Sequence, residues 1–287
     1  MVLDYETLKL IWWLLMGILL IGFALTDGFD MGVGILLPFI GHTDEERRIM
    51  INTVGPHWEG NQVWLDTAGG ALFAAWPLVY AMAFSGFYLA MMLTLFALFL
   101  RPVGFDYRSK LDNSRWRSSW DWGLFVGSVV PPIIFGVAFG NLLLGVPFYF
   151  DDMMRPNYTG GFLQLLNPFA LLSGVVSLLM IVMHGSVWLQ IRTLDSLEWR
   201  ATQVAKASSV ALLIAFALAG LWVSFGMDGY VVSAMPAANS SFTPDMKEVT
   251  TQVGGWLLNY QQYPWMILAP AFAFLGMIGV YLFSHLS

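Results

Sequence analysis

Long apolar stretches alternate with short polar segments along the whole chain. Most are about as long as the ~20 apolar residues with which an α-helix crosses the hydrocarbon of a bilayer. The pattern predicts seven transmembrane helices, at residues 10–39, 52–76, 78–100, 121–145, 163–190, 204–226 and 263–285. Neither a repeat nor a Pro- or Gly-rich linker divides the sequence, so residues 1–287 are expected to form one all-α membrane domain, a polytopic helix bundle.

The second apolar stretch is the least regular, because residues 55–62 read Gly-Pro-His-Trp-Glu-Gly-Asn-Gln. Its separation from the third stretch depends on Trp76-Pro77, since proline interrupts a helix. A helix outside the membrane over 52–62 remains an alternative. The first stretch is longer than the apolar core of a signal peptide and no small-residue cleavage site follows it, so we expect a mature transmembrane helix.

Positive charges are concentrated in every second predicted loop. Ten of the thirteen Lys and Arg residues fall between helices one and two, three and four, or five and six. Because cytoplasmic loops retain such residues, the N-terminus is expected outside and residues 227–262 are expected to form the largest external loop. Arg101 is interpreted as the start of a solvated cytoplasmic loop, with contact to anionic lipid or another subunit as the alternative.

Composition agrees with the membrane interpretation. Hydrophobic residues make up 57% of the chain and charged residues 11%, and the mean hydropathy is +0.66; a soluble domain has roughly 25% charged residues. The net charge of -6 provides no basic surface for nucleic acid. The absence of cysteine excludes disulfides, zinc-thiolate sites and iron-sulfur clusters.

Four carboxylic acids fall inside the predicted spans: Asp27, Asp30, Glu59 and Asp66. A charged side chain in hydrocarbon costs several kcal/mol, so each one should face protein or water and is a functional candidate. Asp27 and Asp30 share one face of the first helix, and Glu59 lies at a similar depth in the second when the rise is ~1.5 Å per residue. Crowded acids can pass protons or bind a cation. The alternative is that they are packing groups satisfied by polar neighbours.

A dense polar and aromatic patch occupies the start of the second span, at His57, Trp58, Asn61, Gln62 and Trp64. A stacking ring flanked by hydrogen-bond donors suits a quinone headgroup, whereas an interfacial aromatic belt is the alternative. Among histidines, only His57 and the later His184 lie clearly within spans. One haem bound by both is conceivable, but a histidine on an apolar helix is more often packed or hydrogen-bonded.

Six segments carry a resemblance to a known family. They are Thr-Asp-Gly-Phe-Asp-Met-Gly-Val-Gly at 26–34, Arg-Arg-Ile-Met-Ile-Asn at 47–52, Pro-His-Trp-Glu-Gly-Asn-Gln-Val-Trp-Leu at 56–65, Gly-Gly-Ala-Leu-Phe-Ala-Ala-Trp-Pro at 69–77, Arg-Pro-Val-Gly-Phe-Asp-Tyr-Arg-Ser-Lys at 101–110 and Gly-Val-Ala-Phe-Gly-Asn-Leu-Leu at 136–143. Together they resemble subunit II of cytochrome bd ubiquinol oxidases, and the similarity continues to the last predicted helix.

The resemblance implies a subunit of a respiratory terminal oxidase in the bacterial inner membrane, which oxidises quinol and reduces dioxygen to water. In that family two b haems and haem d belong to subunit I. Subunit II is its haem-free partner in a heterodimer, and small accessory subunits and lipid are further contacts. The chain is then expected to hold neither a catalytic residue nor a metal of its own.

The resemblance also implies roles for individual residues. A proton path from the cytoplasm is expected at Asp27, Asp30, Glu59 and Asp106. A structural ubiquinone is expected beside His57, Trp58, Asn61 and Gln62. An oxygen entry is expected near Trp64.

Two features depart from the family pattern. Family members have about two more helices, so the chain resembles the N-terminal three quarters of a subunit, and the motif has Asp where Glu59 stands. The alternative function is a secondary transporter or ion channel that uses the intramembrane acids, which would predict an inverted repeat that the sequence does not show. A purely structural assembly subunit is a third hypothesis.

Overall fold

The structure, a computed structural model, describes residues 4–236, 243 and 246–286. Its α-helices are α1 (Tyr5–Ile40), α2 (Asp44–Val54), α3 (Trp58–Ala75), α4 (Pro77–Gly86), α5 (Tyr88–Tyr107), α6 (Ser114–Leu144), α7 (Pro168–Arg192), α8 (Asp195–Phe225), α9 (Leu258–Gln262) and α10 (Leu268–Leu286). Two antiparallel hairpins are also present, β1 (Phe148–Phe150) with β2 (Pro156–Tyr158) and β3 (Asp228–Ala234) with β4 (Glu248–Val253). Part of the predicted external loop, at 237–242 and 244–245, lies outside the described residues.

Six helical segments in the described chain are long and apolar enough to cross a membrane, which confirms the predicted all-helical membrane fold. They are Tyr5–Ile40, Tyr88–Tyr107, Ser114–Leu144, Pro168–Arg192, Asp195–Phe225 and Pro264–His285. The second predicted span, 52–76, is not among them. Its first residues belong to α2, its remainder forms α3, and the break between them falls at Gly55-Pro56-His57.

The short helix α2 is polar and begins with a reciprocal cap. Thr43 accepts a hydrogen bond from the backbone of Glu46, and Glu46 accepts one from the backbone of Thr43. This pattern fixes the start of a helix. The apolar side chains of Met50 and Val54 are buried in the core cluster formed with the end of α1. The segment before α3 is therefore a helix that covers the end of the bundle. The alternative of one helix over 52–62 is wrong, because the break at Gly55-Pro56-His57 falls inside that range.

Helix α1 lies at the centre of the bundle in its second half. Residues 30–37 are buried without interruption, and α3, α6 and α7 pack around them. In its first half, most side chains from Leu10 to Ile21 are exposed on the surface of this chain. Asp27 and Asp30 fall in the enclosed half, where neighbouring helices can supply polar partners.

Glycines allow α1 and α7 to cross with their backbones in contact. A Cβ added to Gly32 would lie 2.6 Å from the Cα of Gly185, closer than side chains approach backbone in proteins. Gly136 of α6 meets Gly174 of α7 in the same way, at 2.7 Å. Small residues at such crossings are typical of membrane helices, where close van der Waals contact holds neighbouring helices together.

Ion pairs join three loops at one end of the bundle, which we call the charged end. Asp121 accepts from Arg47 at 2.8 Å and from Arg108 at 2.5 Å, and Asp44 accepts from Arg108 at 2.8 Å and Arg117 at 2.7 Å. Arg200 of α8 pairs with Glu46 of α2 at the same end. The loops between α1 and α2, α5 and α6, and α7 and α8 thus lie on one side, as the predicted loop order requires. That this side faces the cytoplasm stays a prediction.

The hairpins cover the opposite end. Tyr230 on β3 donates a hydrogen bond to the carbonyl of Leu144, and Trp256 donates one to the carbonyl of Leu143. The buried amide of Asn141 donates to the carbonyl of Leu165 at 2.7 Å. The last carbonyl groups of α6 therefore receive partners from the loops, as the end of a helix requires.

Enlarging Gly185 should separate α1 from α7. We expect Gly185→Val to lower the stability of the purified protein by about 1–3 kcal/mol, the range for an overpacked core. Gly17→Val is the matched control, because a Cβ at Gly17 of α1 meets nothing within 4 Å. Thermal unfolding in detergent measures the effect, and equal midpoints for the two variants would contradict the close crossing.

Glu46, which lies on α2 and outside the six spans, pairs with Arg200 of α8. Burial raises the pKa of its carboxyl, but hydrogen bonds from Arg200 and from the backbone N–H groups of His42 and Thr43 outweigh it and lower that pKa to about 2. A lowered pKa stabilises the fold above the ordinary value of 4.5, and this contribution disappears as the pH falls toward 2.

We therefore expect Glu46→Gln to lower the unfolding temperature at pH 7 and to differ less from the parent at pH 3. Thermal unfolding at both pH values measures this. Glu45→Gln, at the exposed neighbouring acid, is the control. A difference between Glu46→Gln and the parent that is constant across this range would show that the carboxylate does not contribute.

Candidate functional site

A buried ion pair joins α1 to α5. The two terminal guanidinium nitrogens of Arg101 donate to Asp27, Nη1 at 2.8 Å to Oδ2 and Nη2 at 2.5 Å to Oδ1. The exposed fractions are 1% for Arg101 and 0% for Asp27, so neither charge reaches water in this chain. The interpretation of Arg101 as a solvated loop residue is wrong. The helix continues through Pro102 to Tyr107 and carries the guanidinium inside the bundle.

The position of Arg101 depends on a close approach of α5 to α6. A Cβ on Gly127 of α6 would lie 2.7 Å from the carbonyl of Ala97 and 3.0 Å from Cγ of Arg101. The glycine therefore leaves the space through which the long side chain reaches Asp27. Two parallel N–H···O bonds give this pair a fixed geometry as well as charge balance.

Asp30, one turn further along α1, has a different environment. Its Oδ2 accepts from Nδ2 of Asn61 on α3 at 2.8 Å. Its Oδ1 is buried and has no hydrogen-bond partner among the described residues. The nearest titratable nitrogen is Nδ1 of His57, at 3.8 Å from Oδ1. The two acids of α1 are thus distinguished by their partners, because only Asp27 is matched by a cation in direct contact.

His57 connects this carboxyl to an open cleft. Asn61 donates from the same amide nitrogen to Asp30 and, at 3.3 Å, to Nδ1 of His57. A neutral imidazole that accepts at Nδ1 carries its proton on Nε2. The side chain of His57 is 39% exposed. It lines a cleft of about 490 Å³ together with Ile49, Asn52, Thr53, Pro56 and Arg192.

Aromatic rings hold the histidine in place. Phe29 stacks on Trp188 with ring centroids 4.0 Å apart, and His57 meets the edges of both rings. His184 also contacts the ring of Phe29, and its Nε2 is 2.9 Å from the carbonyl of Leu25. Binding of one haem iron through the Nε2 atoms of His57 and His184 would require Nε2 of His184 to leave this carbonyl.

The structure brings together some of the predicted site residues and separates others. Asp27, Asp30, His57 and Asn61 form one cluster between α1 and α3. Glu59 and Asp106 are exposed and take no part in it, and Asp66 is exposed as well.

The aromatic and amide residues of α3 face other neighbours. Trp58 stacks on Phe105 of α5 with centroids 4.9 Å apart, while the buried Oε1 of Gln62 has no partner among the described residues. Trp64 packs over Gly22 of α1, where an added Cβ would lie 2.7 Å from the ring. The four residues predicted to bind quinone are thus divided: His57 and Asn61 lie beside Asp30, whereas Trp58 and Gln62 take no part in that cluster.

Sequence reasoning missed Arg101, Trp188 and Arg192. A signal for Arg101 was present, since two acids in one apolar helix require a cation or a proton, and Arg101 stands at the edge of an apolar run. Trp188 and Arg192 gave no signal, because an aromatic ring and a terminal cation are common in any membrane helix.

Breaking the buried ion pair should lower the stability of the protein far more than breaking an exposed ion pair. We expect Asp27→Leu, which leaves Arg101 unpaired, to lower the free energy of unfolding by about 3–5 kcal/mol. The double variant Asp27→Leu/Arg101→Leu should recover part of this loss. Denaturant unfolding of the purified protein measures both.

The control is Arg155→Leu, which removes a 2.7 Å pair with Asp151 in which Arg155 is 70% exposed. Arg155→Leu should lower the free energy of unfolding by less than about 1 kcal/mol. If Asp27→Leu were as mild as this control, the buried pair would not organise the bundle.

Comparison with known proteins places these features in a family. The family model described as cytochrome bd terminal oxidase subunit II matches residues 8–287. The chain is 59% identical over 268 residues to cytochrome bd-I ubiquinol oxidase subunit 2 of Escherichia coli (strain K12), covering 93% of this chain and 71% of that protein. It is 39% identical over 212 residues to cytochrome bd ubiquinol oxidase subunit 2 of Bacillus subtilis (strain 168), covering 74% and 62%.

A solved structure shows the same fold. A chain of the bd oxidase from Geobacillus thermodenitrificans superposes with a TM-score of 0.61 at 11% sequence identity. The match covers 85% of this chain and 64% of that one. At this identity the likeness concerns the arrangement of helices alone.

Proposed function

The chain belongs to the cytochrome bd terminal oxidase subunit II family, and we propose that it is the haem-free partner of subunit I and conducts protons toward it. Membership makes it a subunit of a membrane oxidoreductase complex. One observation supports the proton role above all others: the buried Oδ1 of Asp30 has no partner among the described residues and lies 3.8 Å from a histidine that opens onto a cleft.

The transfer step needs only a small motion. When His57 takes up a proton from the cleft, both ring nitrogens carry hydrogen and Nδ1 no longer accepts from Asn61. The gap to Oδ1 of Asp30 must then close from 3.8 Å to about 2.8 Å. The proton passes from Nδ1 to Oδ1 and leaves a neutral acid and a neutral imidazole. Asn61 can donate to Nδ1 again, which returns His57 to its initial state.

Asp27 has a different role in this proposal. Its charge is matched by Arg101, so it stays in that ion pair beside Asp30 and does not carry protons. Glu59 and Asp106 are exposed carboxylates, and we assign them to the collection of protons at the cytoplasmic entrance. The N-terminus would then lie on the periplasmic side of the bacterial inner membrane.

The remaining expectations belong to the same proposal. Haem d and two b haems would be held by subunit I, where quinol is oxidised and dioxygen reduced, and small accessory subunits would join the heterodimer.

Trp58 and Gln62, together with His57 and Asn61, would border a structural ubiquinone. The support in this chain is the partnerless amide oxygen of Gln62 and the stacked face of Trp58. Trp64, packed over Gly22, would lie near an oxygen entry.

Replacing Asp30 tests the proton role. We expect Asp30→Asn to reduce quinol-dependent oxygen consumption by the assembled complex by about tenfold or more, since the relay loses its carrier. Asp30→Glu, which keeps a carboxyl group, should recover part of the rate. The controls are Asp66→Asn, at an exposed acid of the same helix α3 as Asn61, and the haem content from a reduced-minus-oxidised spectrum.

The outcomes separate the hypotheses. Normal haem content with slow turnover in Asp30→Asn alone supports proton conduction. Unchanged turnover in every variant would leave the chain with an assembly role only, because its carboxylates would be replaceable.

A further inference from the structure

We infer that the cleft beside Arg192 binds the phosphate of an anionic membrane phospholipid. This site shares His57 with the proton relay, but the phosphate would contact its Nε2 whereas the relay passes its proton from Nδ1. The argument begins with an arginine that has no carboxylate partner among the described residues.

Arg192 is the last residue of α7 and is held on an aromatic platform. Its guanidinium carbon lies 4.6 Å from the centre of the Trp188 ring, which itself stacks on Phe29. The side chain is thus positioned in advance, at the boundary of a membrane-spanning helix. By contrast, Arg47, Arg108, Arg117 and Arg200 at the same end all pair with carboxylates.

The cleft supplies donors and lacks acids. Arg192, Asn52 and His57 line it with Thr53, Ile49 and Pro56, and none of these is a carboxylate. The exposed amide of Asn52 has no partner in the described part of the chain, and the hydroxyl of Thr53 already donates to the carbonyl of Met50. A guanidinium, an amide N–H and the Nε2–H of His57 together match the unesterified oxygens of a phosphodiester.

The surroundings favour a lipid as the source of that phosphate. Ile191 and Leu194, on either side of Arg192, are 72% and 78% exposed. Trp199, early in α8, is 64% exposed. An arginine at the end of a span, with apolar side chains beside it, sits where a headgroup meets its acyl chains. A free anion would gain nothing from these apolar neighbours.

Lipid binding by the purified complex tests this inference. The complex is stripped of lipid and titrated with phosphatidylglycerol, and bound molecules are counted by native mass spectrometry. We expect Arg192→Gln to bind one molecule fewer, or with about tenfold weaker affinity, the equivalent of one charge-assisted hydrogen bond. Arg192→Lys should retain most of the binding, and higher salt should weaken it.

The matched control is Arg115→Gln, at an exposed arginine of the charged end whose guanidinium makes no ion pair in the described part of the chain; it should bind as the parent does. Equal binding by Arg192→Gln and the parent would overturn the inference and leave Arg192 as a cation that complements the end of α7. Equal occupancy by inorganic phosphate alone would overturn the lipid source. Because the readout is lipid count and not turnover, failure here is distinguishable from failure of the proton relay.

Discussion

The pairing of Asp27 with Arg101 is the constraint on which the rest of the structure depends. Two opposite charges inside the bundle are tolerable only when each has the other within hydrogen-bond distance, because removal of one leaves the second without water or a counter-ion. The pair fixes α5 against α1 at one depth. Gly127 then has to be small, and α6 follows the path that this contact allows.

The same pairing determines which partners are available to Asp30. Two acids one turn apart on one helix would be equivalent by sequence alone, yet the cation binds only one of them directly. The other faces an amide and a histidine, which are groups that exchange hydrogen bonds rather than neutralise charge. The ion pair of Asp27 and Arg101 therefore holds the helices in place, while the neighbouring Asp30 can change its protonation.

Much of the fold follows from the apolar pattern, since a helix must enclose its own backbone polar groups in hydrocarbon. The cluster of Asp30, His57 and Asn61 follows in part, because residues three or four apart share a helix face. The prediction for Arg101 failed for a physical reason: the apolar stretch ends at Leu100, but α5 continues through Pro102 to Tyr107, since proline is tolerated inside membrane helices when neighbours supply partners. Glu59 and Gln62 could not be placed, because the rotation of α3 about its axis depends on contacts with α1 and α5 that no local pattern encodes.

The sequence separation of the central pair has a consequence for biosynthesis. Asp27 and Arg101 are 74 residues apart, so at roughly 5–20 residues per second the ribosome delivers the cation several seconds after the acid. During that interval Asp27 has no cation partner, and an unpaired acid makes the insertion of α1 into hydrocarbon less favourable. The position of α1 in the membrane is therefore fully stabilised only after α5 has been synthesised and Arg101 has paired with Asp27.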